Sequence, residues 1–273
     1  MQIGATTKIY GVLGQNISYS LSPLLHNACF QHFGMDAVYL AFSSQEERAE
    51  NLLEALDTLQ ICGVNLTIPY KTKIIPTLKD LDPYAKKIQS INTLKRTEQG
   101  WKGYSTDGYG FLAGLSNMSL SLQETDFHCI GAGGAATAVA HALLEKNIKS
   151  LSLSNRNSDP LEHLFEQLKQ NYPHAKIQIQ APKKGAVLVN CTPVGKDSVS
   201  FSAPKEWVED AKAVIDLLYF PLASPLLRFA QSLGKPTQNG LPMLFHQARL
   251  SFEIWHQILP PIEVMEESIQ HKL

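Results

Sequence analysis

Several features that would each mark a particular class are scarce or missing in this chain. No stretch approaches the ~18 consecutive apolar residues of a membrane span. The first residues, MQIGATTKIYGV, carry neither a basic n-region nor an apolar h-region, so no secretory signal is expected. Net charge is only −1, with 24 Lys and Arg against 25 Asp and Glu. No global field is therefore present to recruit nucleic acid or an anionic membrane. Cysteine is sparse: Cys29, Cys62, Cys129 and Cys191 stand far apart, without a CxxC pair or the Cys/His spacing of a metal site. Reduced, mostly buried thiols are expected, and no metal. The nine histidines are equally scattered. These absences fit a cytoplasmic protein with neither nucleic-acid nor membrane partners. No long exposed apolar stripe stands out, which leans to a monomer or loose homodimer.

What is present is an ordinary globular composition, 44% apolar and 18% charged over 273 residues. That is enough chain for one large domain or two modest ones. Strand and helix patterns alternate, which points to α/β units rather than a bundle or sandwich. Strands are expected over 8–14, 37–42 and 63–68, with a hairpin over 92–104 turning at Glu98-Gln99-Gly100. Helices are expected from Ser22, as N-cap, with Pro23 in the first helical position and Gly34 closing, and over 45–60. After a helical stretch at 109–118 the rhythm restarts more regularly. Strands at 127–130, 150–154, 176–179, 186–190 and 213–217 are interleaved with helices at 135–146, 160–170 and 224–233. A final helix over 242–259 carries Leu244, Ala248, Trp255 and Leu259 on one face.

The segment 127–156 holds the most specific local signal. Gly131-Ala132-Gly133-Gly134-Ala135-Ala136 satisfies G-x-G-x-x-G/A, follows an apolar strand and opens an alanine-rich helix. The first glycine allows the tight turn, the second lets backbone approach a pyrophosphate, and Ala136 permits close helix–strand packing. Helix-start N–H groups then face the phosphates. An NAD enzyme usually carries a carboxylate about 20 residues past such a loop. Asn155 followed by Arg156 stands there instead, and a guanidinium suits a ribose 2′-phosphate. Asp159-Pro160-Leu161-Glu162 has the pattern of a helix start with Asp159 as N-cap. NADP is the cofactor expected.

Three segments of the first half carry polar residues that packing does not require: Ser20 and Ser22 at a helix start, Asn65 through Lys71 at the end of a strand, and Asp107 in Ser105-Thr106-Asp107-Gly108. With these, the chain resembles the shikimate dehydrogenase family along nearly its whole length. The resemblance rests on Ser20-Leu21-Ser22-Pro23-Leu24-Leu25-His26-Asn27, on 65–71, on Ile91-Asn92-Thr93, and on Thr106-Asp107-Gly108. It continues through 131–136, Asn155-Arg156, 190–195, 216–219 with Pro221-Leu222, and Gly240 with Met243 and Gln247.

The resemblance implies an α/β protein of two domains. An N-terminal substrate-binding and catalytic domain over 1–106 is joined by the C-terminal helices of 240–273 packing back on it. A Rossmann-type NADP-binding domain spans 107–239, with the active site in the cleft between the halves. The implied reaction is reversible NADPH-dependent reduction of 3-dehydroshikimate to shikimate. Lys71 and Asp107 are the implied catalytic pair. Ser20 and Ser22 would hold the substrate carboxylate, Thr67, Asn92 and Gln247 the ring hydroxyls, and Tyr219 would touch the substrate. Gly131, Ala132, Gly133, Gly134, Ala135, Asn155, Arg156, Leu217 and Gly240 would line the NADP site. The family's NADP motif usually reads Asn-Arg-Thr with a further basic residue. Here Asn157 replaces the threonine and Pro160 occupies the basic position, so the implied phosphate clamp rests on Arg156.

Three other readings share parts of this pattern. An NAD-using quinate/shikimate dehydrogenase of the same fold differs in substrate and cofactor. A non-catalytic NADP-binding sensor need not keep both Lys71 and Asp107. A methyltransferase also uses a glycine loop after a first strand, but Arg156 stands where its ribose-binding carboxylate would be.

Overall fold

The computed structural model describes residues 3–15, 17–45 and 48–272. The chain divides into two compact units, Met1–Thr106 with Phe245–Leu273, and Asp107–Leu244. Each unit has its own six-stranded sheet.

The first unit opens with strand β1 (Lys8–Gly14), helix α1 (Ser22–His32), β2 (Ala37–Ser43), α2 (Ala49–Thr58) and β3 (Gly63–Leu66). A one-turn helix α3 (Tyr70–Lys73), β4 (Asp80–Leu81) and α4 (Pro83–Ile88) lead to the hairpin of β5 (Thr93–Thr97) and β6 (Gly100–Tyr104). The sheet order is β2-β1-β3-β5-β6-β4, with β1 parallel to both its neighbours. A strand flanked on both sides in this way is covered on both faces, and the last five residues of β1 are buried accordingly. At Gly14, where β1 ends, a Cβ would overlap the Thr67 methyl, so glycine lets the β3 exit close over the β1 end.

Element ends differ from the sequence expectation in instructive ways. Ser22 is the first residue inside α1, not its cap; Leu21 holds the cap position and no side chain caps the helix. Gly34, at φ +62°, ends it as expected. The second helix begins at Ala49 and gives way after Thr58 to Gln60 in a left-handed conformation, φ 51°; Glu46 and Glu47, in the expected helix, lie outside the described residues. Strand β3 stops at Leu66 because the Tyr70 N–H bonds back to the Thr67 carbonyl at 2.8 Å in a turn.

The second unit runs α5 (Asp107–Gly114), β7 (Asp126–Ile130), α6 (Gly134–Glu145), β8 (Ser150–Ser154), α7 (Ser158–Asn171) and β9 (Ile177–Ile179). It continues through β10 (Val187–Asn190), α8 (Lys205–Asp210), β11 (Ala213–Asp216), α9 (Pro225–Ser232) and β12 (Thr237–Gln238). Every strand pair is parallel, in the order β9-β8-β7-β10-β11-β12. That is the doubly wound dinucleotide-binding order, whose direction reverses between β7 and β10. Ligands of such sheets bind beyond the carboxyl ends of the strands at that reversal. The interior is apolar, with Phe127, Val139, Leu143, Leu153, Leu164 and Val189 buried together. Helix α7 starts at Ser158, so Asp159 lies inside its first turn and is not the cap; Asn157 holds that position without a side-chain cap bond. Asn157, Ser158 and Asp159 are all cap-competent residue types, which is why sequence alone misplaces the boundary.

Helix α10 (Leu241–His256) and helix α11 (Ile262–Ile269) complete the chain. Phe245, Ala248, Phe252 and Trp255 of α10 are buried, and their spacing of three or four gives one apolar stripe. Leu259, expected on that stripe, is instead 46% exposed, because the helix ends at His256 and Gln257 turns left-handed at φ 59°. Within the first unit Trp255 donates its indole N–H to the Leu94 carbonyl at 3.0 Å. The backbone at Gly63 passes so close to this indole that a Cβ there would overlap it.

Candidate functional site

In the first unit the expected substrate residues gather around the carboxyl ends of β1 and β3. Ser20 and Ser22 meet where the chain enters α1, the Ser22 N–H donating to Ser20 Oγ at 3.3 Å. Because the Ser22 hydroxyl is not spent capping its own helix, it can act on something else. It faces the buried phenol of Tyr39, which burial raises well above the ordinary tyrosine range and the Ser22 hydroxyl partly restrains. The Tyr39 hydroxyl donates to Asn65 Oδ1 at 2.8 Å.

Asn65 is an amide inside an apolar strand, and its cost is met by full pairing. The two protons of its Nδ2 are shared among three acceptors, the Asn92 carbonyl at 3.0 Å, Thr93 Oγ1 at 3.0 Å and Ser251 Oγ at 2.9 Å. Asn92 is oriented from the other side. Its Oδ1 accepts the Thr106 N–H at 2.8 Å, and its Nδ2 donates to Thr106 Oγ1 at 2.8 Å and to Gln247 Oε1 at 3.2 Å. The structure thus brings Asn92 and Gln247 into direct contact. Lys71 sits half-buried in α3, tied to the same region by its carbonyl, which accepts the Ile91 N–H at 2.9 Å. Thr67 is half-buried at the β3 exit, its N–H on the Leu13 carbonyl at 3.0 Å.

His26, next to the serine motif, is fully buried and stacks on Tyr39 with ring centroids 4.3 Å apart. Neither ring nitrogen has a hydrogen-bond partner. Burial, aided by nearby His256, pulls its pKa down to about 3, so it packs as a neutral aromatic. His246 is half-buried with its pKa lowered by burial and by Arg249.

In the second unit the glycine loop has the geometry its sequence implies. Gly131 adopts φ +118°, where a Cβ would also come within 3.0 Å of the Thr192 methyl. Gly133 holds the cap position of α6 in extended backbone, with open space around it and no side chain capping the helix. Ala136 is fully buried under the loop. Ala132, Gly134 and Ala135 are half-buried at the helix entrance.

Beyond β8, Asn155 turns its amide back on the Asn157 carbonyl at 2.9 Å, while Arg156 is exposed. Leu217 follows β11 with its N–H on the Asn190 carbonyl at 2.9 Å. Gly240 packs on Leu217 so closely that a Cβ would overlap its carbonyl, and its N–H bonds to the Leu218 carbonyl at 2.9 Å. Tyr219 is half-buried nearby in sequence. Asp107, the first residue of α5, is 5% exposed; a carboxylate there suits the positive end of the helix dipole.

Asp216 and Asn190, which the resemblance includes without a role, brace the loops at the strand ends. Asp216 accepts from Ser224 Oγ at 2.5 Å, the Leu218 N–H at 3.0 Å and Asn190 Nδ2 at 3.0 Å. Its pKa is raised by burial, against the pull of those three donors. Asn190 Oδ1 in turn accepts from both the N–H and the hydroxyl of Thr192. Cys191 lies beside Cys129, and the contact with that thiol and burial raise its pKa. All four cysteines are free thiols. Among the described residues no group of His, Cys, Asp and Glu could hold a metal ion.

Residues 12–94 match the model of the shikimate dehydrogenase substrate binding domain, and 240–270 that of the shikimate 5′-dehydrogenase C-terminal domain. A shikimate dehydrogenase (NADP(+)) of Alkaliphilus metalliredigens is 34% identical over 99% of this chain and 99% of its own length. The chain belongs to the shikimate dehydrogenase family. Solved members superpose closely. The shikimate dehydrogenase of Aquifex aeolicus has a TM-score of 0.89 at 33% identity, covering 98% of this chain and 100% of that one. The Thermus thermophilus shikimate 5-dehydrogenase, solved with NADP(H) and shikimate, has a TM-score of 0.85 at 32% identity, over 97% and 100% of the two chains.

Within this family frame, sequence reasoning missed Asn65, Tyr39 and Ser251 as partners of the expected site residues. A signal existed for two of them. Asn65 is a lone amide in an apolar strand, and Ser251 lies four residues past Gln247, one turn along the same helix.

Proposed function

We propose that this protein is an NADP-dependent shikimate dehydrogenase, an oxidoreductase acting on a CH–OH group, that interconverts 3-dehydroshikimate and shikimate. The whole-length likeness to NADP(+)-dependent shikimate dehydrogenases is the observation that carries the reading. No helix among the described residues is long and apolar enough to cross a membrane, in keeping with a cytoplasmic enzyme acting on small molecules.

The loop before α6 fits a pyrophosphate. Gly131 needs its positive φ, Gly133 leaves room for close approach, and the cap position of α6 carries no side chain to compete for the first-turn N–H groups. Gly131, Ala132, Gly133, Gly134 and Ala135 are assigned to the pyrophosphate, Asn155 and Arg156 to the adenosine ribose and its 2′-phosphate, and Leu217 and Gly240 to the remaining wall. When bound, NADPH supplies the hydride that reduces the substrate carbonyl, and NADP accepts it in the reverse direction.

The protein's own residues manage charge and orientation. Ser20 and Ser22 hold the carboxylate at the start of α1, an 11-residue helix whose dipole favours an anion. Thr67, Asn92 and Gln247 bind ring hydroxyls, and Tyr219 contacts the substrate. As the carbonyl oxygen gains negative charge it requires a proton, which Lys71 delivers, with Asp107 assigned as the other member of the catalytic pair. In the oxidative direction the pair receives the hydroxyl proton. The deciding assay follows NADP reduction by shikimate, then repeats it with NAD and with quinate. Turnover confined to quinate would replace the proposed substrate. NADPH binding without turnover in all four combinations would make the protein a sensor.

A further inference from the structure

Ser251 is fully buried on α10 and is the one residue that touches every member of the amide–hydroxyl cluster around Asn92 except Asn92 itself. A helical serine usually satisfies its hydroxyl by donating to the carbonyl four residues back, and Ser251 does so, to Gln247 at 3.0 Å. That bond uses its only proton. Its two lone pairs remain as acceptors, and they meet Asn65 Nδ2 at 2.9 Å and Thr93 Oγ1 at 2.8 Å. With the Ser251 proton on Gln247, the Thr93 hydroxyl is the donor of their shared bond, and the longer approach of Thr106 Oγ1 at 3.3 Å is a contact only.

The consequence runs to Asn92. With the Thr93 proton committed to Ser251, Asn92 Oδ1 is left to the Thr106 N–H at 2.8 Å. The Thr106 hydroxyl donates to the Gln247 carbonyl at 3.1 Å, so its oxygen accepts one Asn92 N–H at 2.8 Å. The other Asn92 N–H lies on Gln247 Oε1 at 3.2 Å, which makes the Gln247 amide nitrogen the donor end of that side chain. Without the Ser251 oxygen the Thr93 proton turns to its other acceptor, Asn92 Oδ1 at 3.3 Å, and competes with the Thr106 N–H for the carboxamide.

We infer that Ser251 is a positioning residue for substrate recognition: its hydroxyl sets the carboxamides of Asn92 and Gln247 in one hydrogen-bonding orientation, and so the polarity they present to the ring hydroxyls of shikimate. This rests on the proposed reading of the site, with Asn92 and Gln247 as ring-hydroxyl ligands. Ser251 touches neither substrate nor cofactor and acts through its neighbours.

The test measures wild type, Ser251→Ala, Ser251→Cys and Ser251→Thr with shikimate and NADP. Cysteine fills the space of serine but is a poor hydrogen-bond partner, whereas threonine restores the hydroxyl. The Ala and Cys variants are expected to raise the KM for shikimate about tenfold, with kcat within about twofold and the KM for NADP unchanged. Threonine is expected to return the shikimate KM to within about threefold of wild type. In an Asn92→Ala background, Ser251→Cys is expected to add no further change in shikimate KM. A wild-type KM for Ser251→Cys would show that only volume matters and would overturn the inference, as would parallel losses against both substrates. If the wild type itself turns over no shikimate, the proposed function has failed instead.

Discussion

The bond between Tyr39 and Asn65 permits a quantitative test of how the first unit is held together. In Tyr39→Phe the buried Asn65 Oδ1 loses its 2.8 Å donor, which costs about 1–2 kcal/mol. Asn65→Leu removes the Tyr39 bond and two N–H donations shared among three acceptors, yet the damage is less than the sum of independent losses. Thr93 and Ser251 remain bonded to each other at 2.8 Å, and the Asn92 carbonyl still accepts the Leu66 N–H at 2.8 Å. The group most exposed to the loss is the Tyr39 hydroxyl, left with Ser22 alone. About 2–3 kcal/mol is expected for Asn65→Leu. The double variant removes both ends of the shared bond, so its cost should fall short of the sum by about 1 kcal/mol. Urea unfolding reads this out, with fluorescence reporting on the unit through Trp101 and Trp255. Costs that simply add would refute the claim that Tyr39 and Asn65 stabilise the unit through each other.

Three further outcomes are expected. Lys71→Ala should lower kcat about a hundredfold or more while KM for shikimate stays within about threefold; an unchanged kcat would remove Lys71 from the chemistry. Arg156→Ala should raise the KM for NADP about tenfold, the worth of one charge-assisted phosphate contact, and leave that for NAD nearly unchanged. Asp126 is pushed up by burial, but the Ser150 hydroxyl and the Lys149 and Lys183 ammoniums outweigh this and bring it from the usual 3.8 to about 2. A carboxylate depressed in the fold stabilises above its unfolded pKa and loses that contribution as pH falls through the folded one. Both lysines are around half exposed, so Asp126→Asn should cost about 1 kcal/mol at pH 7 after screening. The gap between variant and wild type in urea unfolding should close from about pH 4 toward pH 2.

Much of this architecture was legible because its causes are local. The glycine loop announces itself through the backbone angles and clearances of Gly131 and Gly133, and the β5–β6 hairpin through a turn sequence between alternating strands. Helix ends were less legible: α2 starts at Ala49 and α10 ends at His256, three residues before the expected end. Asn157, Ser158 and Asp159 offer equivalent caps, and Leu21 holds the α1 cap position with no capping side chain at all. The second of the C-terminal helices implied by the resemblance is α11, which starts directly after Pro261. The bond from Asn65 to Ser251 joins residues 186 positions apart. No local pattern encodes such a pairing; it follows from the register of β3 against β5 and the placement of α10 beside them within the unit.

The first unit is built from both ends of the chain, whereas the second is one continuous stretch. A ribosome releasing this chain therefore exports everything the second unit needs before the first can close. The amide of Asn65 waits, with its strand already made, for a serine that is the last of its four partners to be translated. A chain cut short after Leu244 would carry the whole second unit and a six-stranded first sheet without the apolar stripe of Phe245, Ala248, Phe252 and Trp255 that packs within its unit. Quality control in the cell would meet such products through the apolar surface left bare.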